Sequence, residues 1–348
     1  MITNNLLFKV TAIVCGCLLL VCSCSKNDDP INEQDPGSSG DDGETVYIAG
    51  YEGNVAKYWK NGVATSLTDG TKNAHAIDIS VSGNDIYVAG TEGKVAKYWK
   101  NGKVSVLGNL AKEEYAFSMY VSGNDVYVAG MDDSSNGSIP KYWKNGIAVE
   151  LAKSGMAEDI FVSGGDVYVA GDEDDAVYWK NGHVVNLANG EKARAIFISG
   201  NDVYVAGEED IKNENGYYTY YTNIVKYWKN GNAVNLTDGK MEAWATDIFI
   251  SGDDVYVSGC EATTKTSYGS GDKYQAKYWK NGKEVLLTDR ETESFAYKIY
   301  ISGNDVYVVG EELHATTGKY VAKCWKNGTA IALTDGTQHA TAYSIVVK

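Results

Sequence analysis

Arginine is nearly missing from this chain: of its 31 basic residues only Arg194 and Arg290 are arginines. A sialidase-type site needs an arginine cluster for the substrate carboxylate and Ser-x-Asp-x-Gly-x-Thr-Trp boxes, and neither is present. Proline is scarce too, at three residues, so little interrupts extended backbone. The four histidines, His75, His183, His314 and His339, are scattered, and there is no zinc spacing, serine elbow or Gly-rich phosphate loop. Four of the six cysteines (Cys15, Cys17, Cys22, Cys24) lie near the N-terminus, and the remaining two, Cys260 and Cys324, make no disulfide framework. Cys324 stands where other copies of a repeat have Tyr beside Trp, so it reads as a small buried hydrophobe. With 46 acidic residues the formal net charge is −15, which argues against nucleic acid, since phosphate binding needs clustered Lys and Arg.

What is abundant is tyrosine, 26 residues, and glycine, 38, a balance that favours strands and tight turns. Behind Lys9, the mostly apolar run from Val10 to Val21 is too short to span a bilayer and suits a signal-peptide core. It ends in Val21-Cys22-Ser23-Cys24, which resembles the bacterial lipobox; the resemblance implies a signal peptide over 1–23 and lipidation at Cys24. Residues 24–44, rich in acids, Gly and Ser, cannot bury a core and read as a lipidated acidic tether. The opening Ser-Lys-Asn-Asp-Asp resembles the surface-export signal of Bacteroidetes lipoproteins, which implies an outer-membrane, surface-exposed address.

Residues 45–348 are seven copies of one unit. Trp-Lys-Asn-Gly begins at Trp59, Trp99, Trp143, Trp179, Trp228, Trp279 and Trp325, accounting for seven of the eight tryptophans. Val-Tyr-Val-Ala-Gly or a variant begins at Val46, Ile86, Val126, Val167, Val203, Val255 and Val306. Ala-x-x-Ile-x-Val in outline begins at Ala76, Ala116, Ala157, Ala193, Ala245, Ala296 and Ala342. The Ala-x-x-Ile strand meets Val-Tyr-Val across a Ser-Gly-Asn-Asp turn, and Asn-Gly marks a type I′ hairpin into a fourth strand. Four strands in about 43 residues, seven times over, predict an all-β, seven-bladed β-propeller. The terminal strand, Ala342 to Lys348, has no hairpin after it, so it is expected to complete the N-terminal blade and close the ring.

The unit resembles bacterial extracellular propeller repeats of the HAF type, with their aromatic-Trp-x-x-Gly and Val-x-Gly rhythm. The resemblance covers residues 45–348 and implies the fold; that family brings no settled activity, and Leu-Thr-Asp-Gly departs from its pattern.

The repeated tryptophans are expected to fill blade interfaces, and the Lys of Trp-Lys-Asn-Gly to pair with the Asp of Ser-Gly-Asn-Asp. Function is therefore sought where the units differ. The second-to-third connection runs 208–223, 260–275 and 311–320 in blades five to seven, and it also lengthens, without aromatics, over 131–139 in blade three. The candidate ligand-binding residues are Tyr217, Tyr218, Tyr220, Tyr221, Tyr268, Tyr274, His314 and Tyr320 in these loops. Trp244 and Phe295, which precede the inner-strand alanines of blades six and seven, join them. Rigid amphipathic rings suit sugar faces or peptide. The expectation is a non-catalytic, monomeric binding module for a glycan, or alternatively a scaffold for a surface protein, with no cofactor and no metal. A polysaccharide lyase using Tyr and His, or a glycosidase using two facing carboxylates, ranks below it, because Glu208, Glu209, Asp210, Glu311 and Glu312 have no distinguishing spacing.

Overall fold

Each unit of the repeat forms the four antiparallel strands its pattern predicts. The computed structural model describes residues 43–108, 112–134, 137–214, 219–264 and 273–348. The signal peptide, Cys24 and all but the end of the tether lie outside the described residues, as do Tyr217, Tyr218 and Tyr268. Among the described residues, 28 strands run from β1 (Val46–Glu52) to β28 (Ala340–Val347) and make seven four-stranded sheets, the blades of one propeller. The innermost strands are β4 (Ala74–Ser82), β8 (Glu113–Ser122), β12 (Met156–Ser163), β16 (Lys192–Ser199), β20 (Ala243–Ser251), β24 (Ser294–Ser302) and β28. The closing strand behaves as expected: β28 pairs with β1 from Val46↔Val347 to Glu52↔Ala340 and supplies the inner strand of blade one. Thr45 N–H to Lys348 C=O (2.6 Å) and Lys348 N–H to Thr45 C=O (3.0 Å) extend that ladder. Glu44, just before it, accepts a 2.7 Å hydrogen bond from the Tyr307 hydroxyl of blade seven.

Every Trp-Lys-Asn-Gly asparagine has a positive φ of 48–52°, followed by a Gly at 79–82°, the geometry of the type I′ turn. Its side chain finishes the turn: in blade two Asn101 Oδ1 accepts from Ile86 N–H at 2.9 Å, and Nδ2 donates to Asp85 at 2.7 Å. In blades two to seven the neighbouring lysine meets the Asp of the other hairpin at 2.7–3.0 Å. Both turns therefore lie on one face, the turn face, and the second-to-third connections lie on the other, the loop face.

The core is seven separate clusters, one per blade interface, and each contains one of the seven repeat tryptophans at 0–2% exposure. Between blades one and two, for example, Trp99 packs with Tyr47, Ala49, Ala76 and Ile79. A ring of this area, closed on all sides, is a large part of the burial that holds two blades together. Cys324 is 4% exposed in the cluster between blades seven and one, where burial pushes its thiol up to about 12.

One expectation is corrected. The long segments of blades three and five are mostly not loops but continuations of the ladder, and those of blades six and seven extend it by a few pairs before they leave it. β17 (Asp202–Glu214) and β18 (Thr219–Lys229) pair out to Glu214↔Thr219, and β9 (Asp125–Ser134) and β10 (Gly137–Lys144) out to Ser134↔Gly137. β21 (Asp254–Ala262) reaches Tyr274 of β22 (Tyr274–Lys280), and β25 (Asp305–Leu313) reaches Tyr320 of β26 (Tyr320–Lys326). Two-stranded ribbons standing off a blade satisfy their own backbone groups, so they need no apolar face to persist as strands.

Candidate functional site

The inner strands carry a feature that shapes the centre of the ring. In each, the register slips by one residue just after the repeat alanine, as between Ala76 and Asp78 opposite Gly90 and Ala89. The slip recurs in all seven blades, so two residues oppose one. The glycine of Val-Tyr-Val-Ala-Gly is what permits it: a Cβ on Gly90 would stand 2.0 Å from the His75 carbonyl oxygen, and its six counterparts meet the same obstacle at 1.9–2.0 Å. The bulge lets two consecutive side chains face the axis. Ile77 and Asp78, Phe117 and Ser118, Glu158 and Asp159, and Tyr297 and Lys298 accordingly line one central cavity of about 480 Å³.

The deeper tier is polar and charged. Asp78, Asp159 and Asp247 are 4–9% exposed, and each carboxylate reaches one blade onward. Asp78 accepts from Met119 N–H at 2.7 Å, Asp159 from Ile196 N–H at 2.8 Å and Asp247 from Ile299 N–H at 3.0 Å. The Ser118 hydroxyl sits 2.6 Å from Asp159 and 3.1 Å from Asp78. Ser344 hydrogen-bonds Asp78 from blade one. The cation serving this tier is Lys298, whose Nζ is 3.5 Å from Asp78 Oδ1. Burial opposes its charge, but Asp78, Asp247 and Asp159 outweigh that and hold its pKa above the ordinary lysine value. Burial also raises Asp159, and it pushes Asp247 up to about 7, aided by the Asp159 charge and resisted by Lys298. An ammonium already seated among these carboxylates makes the tier a cross-brace of the ring. Toward the turn face, rings on five successive blades, Tyr120, Phe161, Phe197, Phe249 and Tyr300, follow one another at 4.8–5.1 Å.

The upper tier, at the loop face, is divided. Over blades six, seven, one and two runs an arc of rings: Trp244 stacks on Tyr274 (4.6 Å), Tyr274 meets Phe295 (5.6 Å), and Phe295 meets Tyr297 and Tyr320 (6.4 and 6.1 Å). Tyr297 continues to Tyr343 (5.3 Å), Tyr343 to Tyr51 (5.9 Å), and Tyr51 stacks on His75 (4.3 Å). Two hydroxyls of the arc are anchored by carboxylates, Tyr274 on Glu242 at 2.7 Å and Tyr320 on Glu293 at 3.0 Å. Facing the arc, blades four and five present an ionic wall in which Arg194 joins Glu158 (3.0 Å) and Glu208 (2.8 Å). Burial raises both carboxyls, Glu208 to about 7, against the pull of Arg194.

Of the residues singled out in sequence, the structure brings Trp244, Tyr274, Phe295 and Tyr320 together. Tyr221, 59% exposed, lies in the blade-five ribbon and lines an adjoining pocket with Trp244. Tyr220 pairs with Asn213 in the same ribbon. His314 stands apart: its Nδ1 is 3.1 Å from Thr317 Oγ1, within its own turn, and it lines neither the cavity nor the pocket. Sequence reasoning missed Tyr51, His75, Tyr297 and Tyr343 as members of the arc, and Glu158, Arg194 and Lys298 as its charged surroundings. The available signal was the pair of positions after each repeat alanine, where a fixed frame holds residues as unlike as Asp, Arg, Lys and Tyr.

No family model matches the sequence, and no curated protein does. Among solved structures, the computationally designed Ika8 protein is similar with a TM-score of 0.45 and 17% identity, over 86% of each chain. YjhT is similar with a TM-score of 0.39 and 13% identity, over 78% of this chain and 97% of that one. Apo AztD from Citrobacter koseri is similar with a TM-score of 0.39 and 10% identity, over 87% of this chain and 98% of that one. Likeness at these identities concerns the fold alone.

Proposed function

We propose that this chain is a non-catalytic binding module that takes a glycan at the loop-face mouth of the central cavity. The observation that carries the reading is the arc of rings from Trp244 to His75 facing the ionic wall of Arg194, Glu158 and Glu208 across that mouth. A sugar ring has apolar C–H faces and polar edges, so rings on one side and charged groups on the other match it. Glu158 and Glu208 are both engaged by Arg194, which supports binding over acid–base hydrolysis. The seat moves from the blade-five-to-seven loops expected in sequence toward the axis, and it keeps Trp244 and Phe295, which line the cavity, with Tyr274 and Tyr320 in contact with them. On this reading the HAF-type resemblance extends to an extracellular setting, with Cys24 lipidated and residues 24–44 presenting the propeller at the cell surface.

A glycan array probed with the purified protein tests the binding. Trp244→Ala with Phe295→Ala should weaken capture at least about tenfold, given about 1 kcal/mol per lost ring contact; the same rings contact Tyr274, Tyr297 and Tyr320, so the unfolding midpoint should fall too, and capture is compared well below the variant's own transition. Undiminished sugar binding by the double variant overturns the site, and an empty array with one specific protein captured from cell surfaces favours the scaffold reading. For the address, labelled lipid should attach at Cys24 and external protease should digest the domain on intact cells; protection until lysis rejects surface display.

A further inference from the structure

Beside the channel mouth, between blades five and six, a second pocket of about 220 Å³ shares Arg194 and Trp244 with the central cavity. Its wall contains Glu208, which is 1% exposed. One oxygen, Oε1, takes both Arg194 contacts, from Nε and Nη2 at 2.8 Å. The other, Oε2, is buried with no hydrogen-bond partner among the described residues. Ionising a carboxyl with one oxygen in that state is costly, which fits the rise of Glu208 to about 7, and an arriving cationic donor relieves the cost.

The sign of that donor follows from its surroundings. Asp210 and Glu242 share the pocket with Glu208, while Glu158 shares Arg194. Asp172 and Glu191 stand close enough for Lys192 to act on them electrostatically, and Asp210 adds to the charge around Glu191. These six carboxylates outnumber Lys192 and Arg194, the cations that line the pocket. Arg194 is spent on Glu158 and Glu208. A further anion, such as a uronic or sialic acid, is repelled here, and a cation is drawn in. Tyr221 and Trp244 line the same space, and the face of an aromatic ring suits a cation or a sugar C–H face.

We propose that this pocket binds the protonated amine of an aminated sugar ring, with Glu208 Oε2 accepting from the ammonium and Tyr221 and Trp244 flanking the ring. The proposal rests on the glycan reading and narrows it: the ligand carries a free amino group rather than an acetamido group. An acetylated nitrogen has no charge and adds bulk at the point where Glu208 needs a compact donor.

Calorimetric titration of the full-length protein with a glucosamine trisaccharide and with its N-acetylated counterpart, at neutral pH, where Glu208, held at about 7, ionises as the ammonium arrives, tests it. The free-amine sugar should bind at least about tenfold tighter, the effect of one charge-assisted hydrogen bond. Glu208→Gln, which keeps the carbonyl contact to Arg194, should remove the difference. Asp210→Asn, at an exposed position that leaves the fold intact, should lower the preference for the free amine at least about threefold through the lost field alone. Equal affinity for the two sugars, or a preference that survives both substitutions, overturns the amine pocket and leaves the glycan reading standing. Binding of neither sugar also overturns it, and the array then decides separately whether any glycan is bound.

Discussion

Deleting residues 340–348 should abolish the cooperative unfolding transition of the propeller. That segment is the inner strand of blade one, and it carries Ala340, Ala342, Ile345 and Val347, all 0–4% exposed, into the interface with blade seven. Its loss strips β1 of a partner over its whole length and turns a closed ring into an array with two raw edges. It also removes Ser344 from Asp78 and Thr341 from Glu311. Domains of this kind are stable by about 5–15 kcal/mol in total, which is within the reach of one missing central strand. Calorimetry of the truncated chain should show no sharp transition, and near-UV circular dichroism should lose its fixed aromatic signal. An unchanged melting temperature would falsify closure through β28.

Lys298→Met should be the most damaging single substitution at the axis. Methionine fills the same space, so the loss is one of charge, and it leaves Asp78, Asp159 and Asp247 buried without the ammonium that serves them. Breaking a buried pair by removing one partner typically costs 3–5 kcal/mol. Because 28% of the Lys298 side chain is open to the cavity, a cost near the lower end, about 3 kcal/mol, is expected. The pH dependence distinguishes this cause from a packing defect. Asp247 is raised from an ordinary 3.8 to about 7 in the folded chain, so folding takes up a proton between those values. The stability it contributes is full below pH 4 or so and is lost as the pH rises through about 7. Without Lys298, the folded-state values of Asp247 and Asp159 climb further, and the variant should recover more stability on acidification from pH 8 to 5 than the parent does. Parallel pH profiles for the two proteins would show that the lysine does not neutralise the tier.

The ring was legible in the sequence because its signals are local and repeated. Asn-Gly fixes one hairpin, Ser-Gly-Asn-Asp another, and a terminal strand without a hairpin has only the first blade to join. The ribbons of blades three and five were read as loops because stretches such as Glu208 to Glu214 are polar but for Ile211. Strand alternation is visible only when the buried face is apolar, and in these ribbons the buried positions, Asp132, Glu208, Thr222 and Asn223 at 0–7% exposure, are polar. The divided mouth was legible only in part. Trp244 and Phe295 stood out against the repeat, but their partners Tyr297 and Tyr343 reach the axis through a backbone bulge. The mark of that bulge is a glycine in the neighbouring strand, read in sequence as part of a turn-rich repeat. The charged tier was hidden for another reason: Ser344 and Asp78 are 266 residues apart, and nothing local pairs a lysine in blade seven with aspartates in blades two, four and six.

Seven of the eight tryptophans are sealed in blade interfaces at 0–2% exposure, and the eighth, Trp244, lines the cavity mouth and stacks on Tyr274. Tryptophan emission therefore reports directly on occupancy of the mouth. Titrating the protein with a glycan captured on the array should quench or shift that emission saturably, and Trp244→Phe should still bind the glycan but lose the optical change. Glycan binding with the parent's emission unchanged, or the same optical change in Trp244→Phe, would place the ligand somewhere other than the axial mouth.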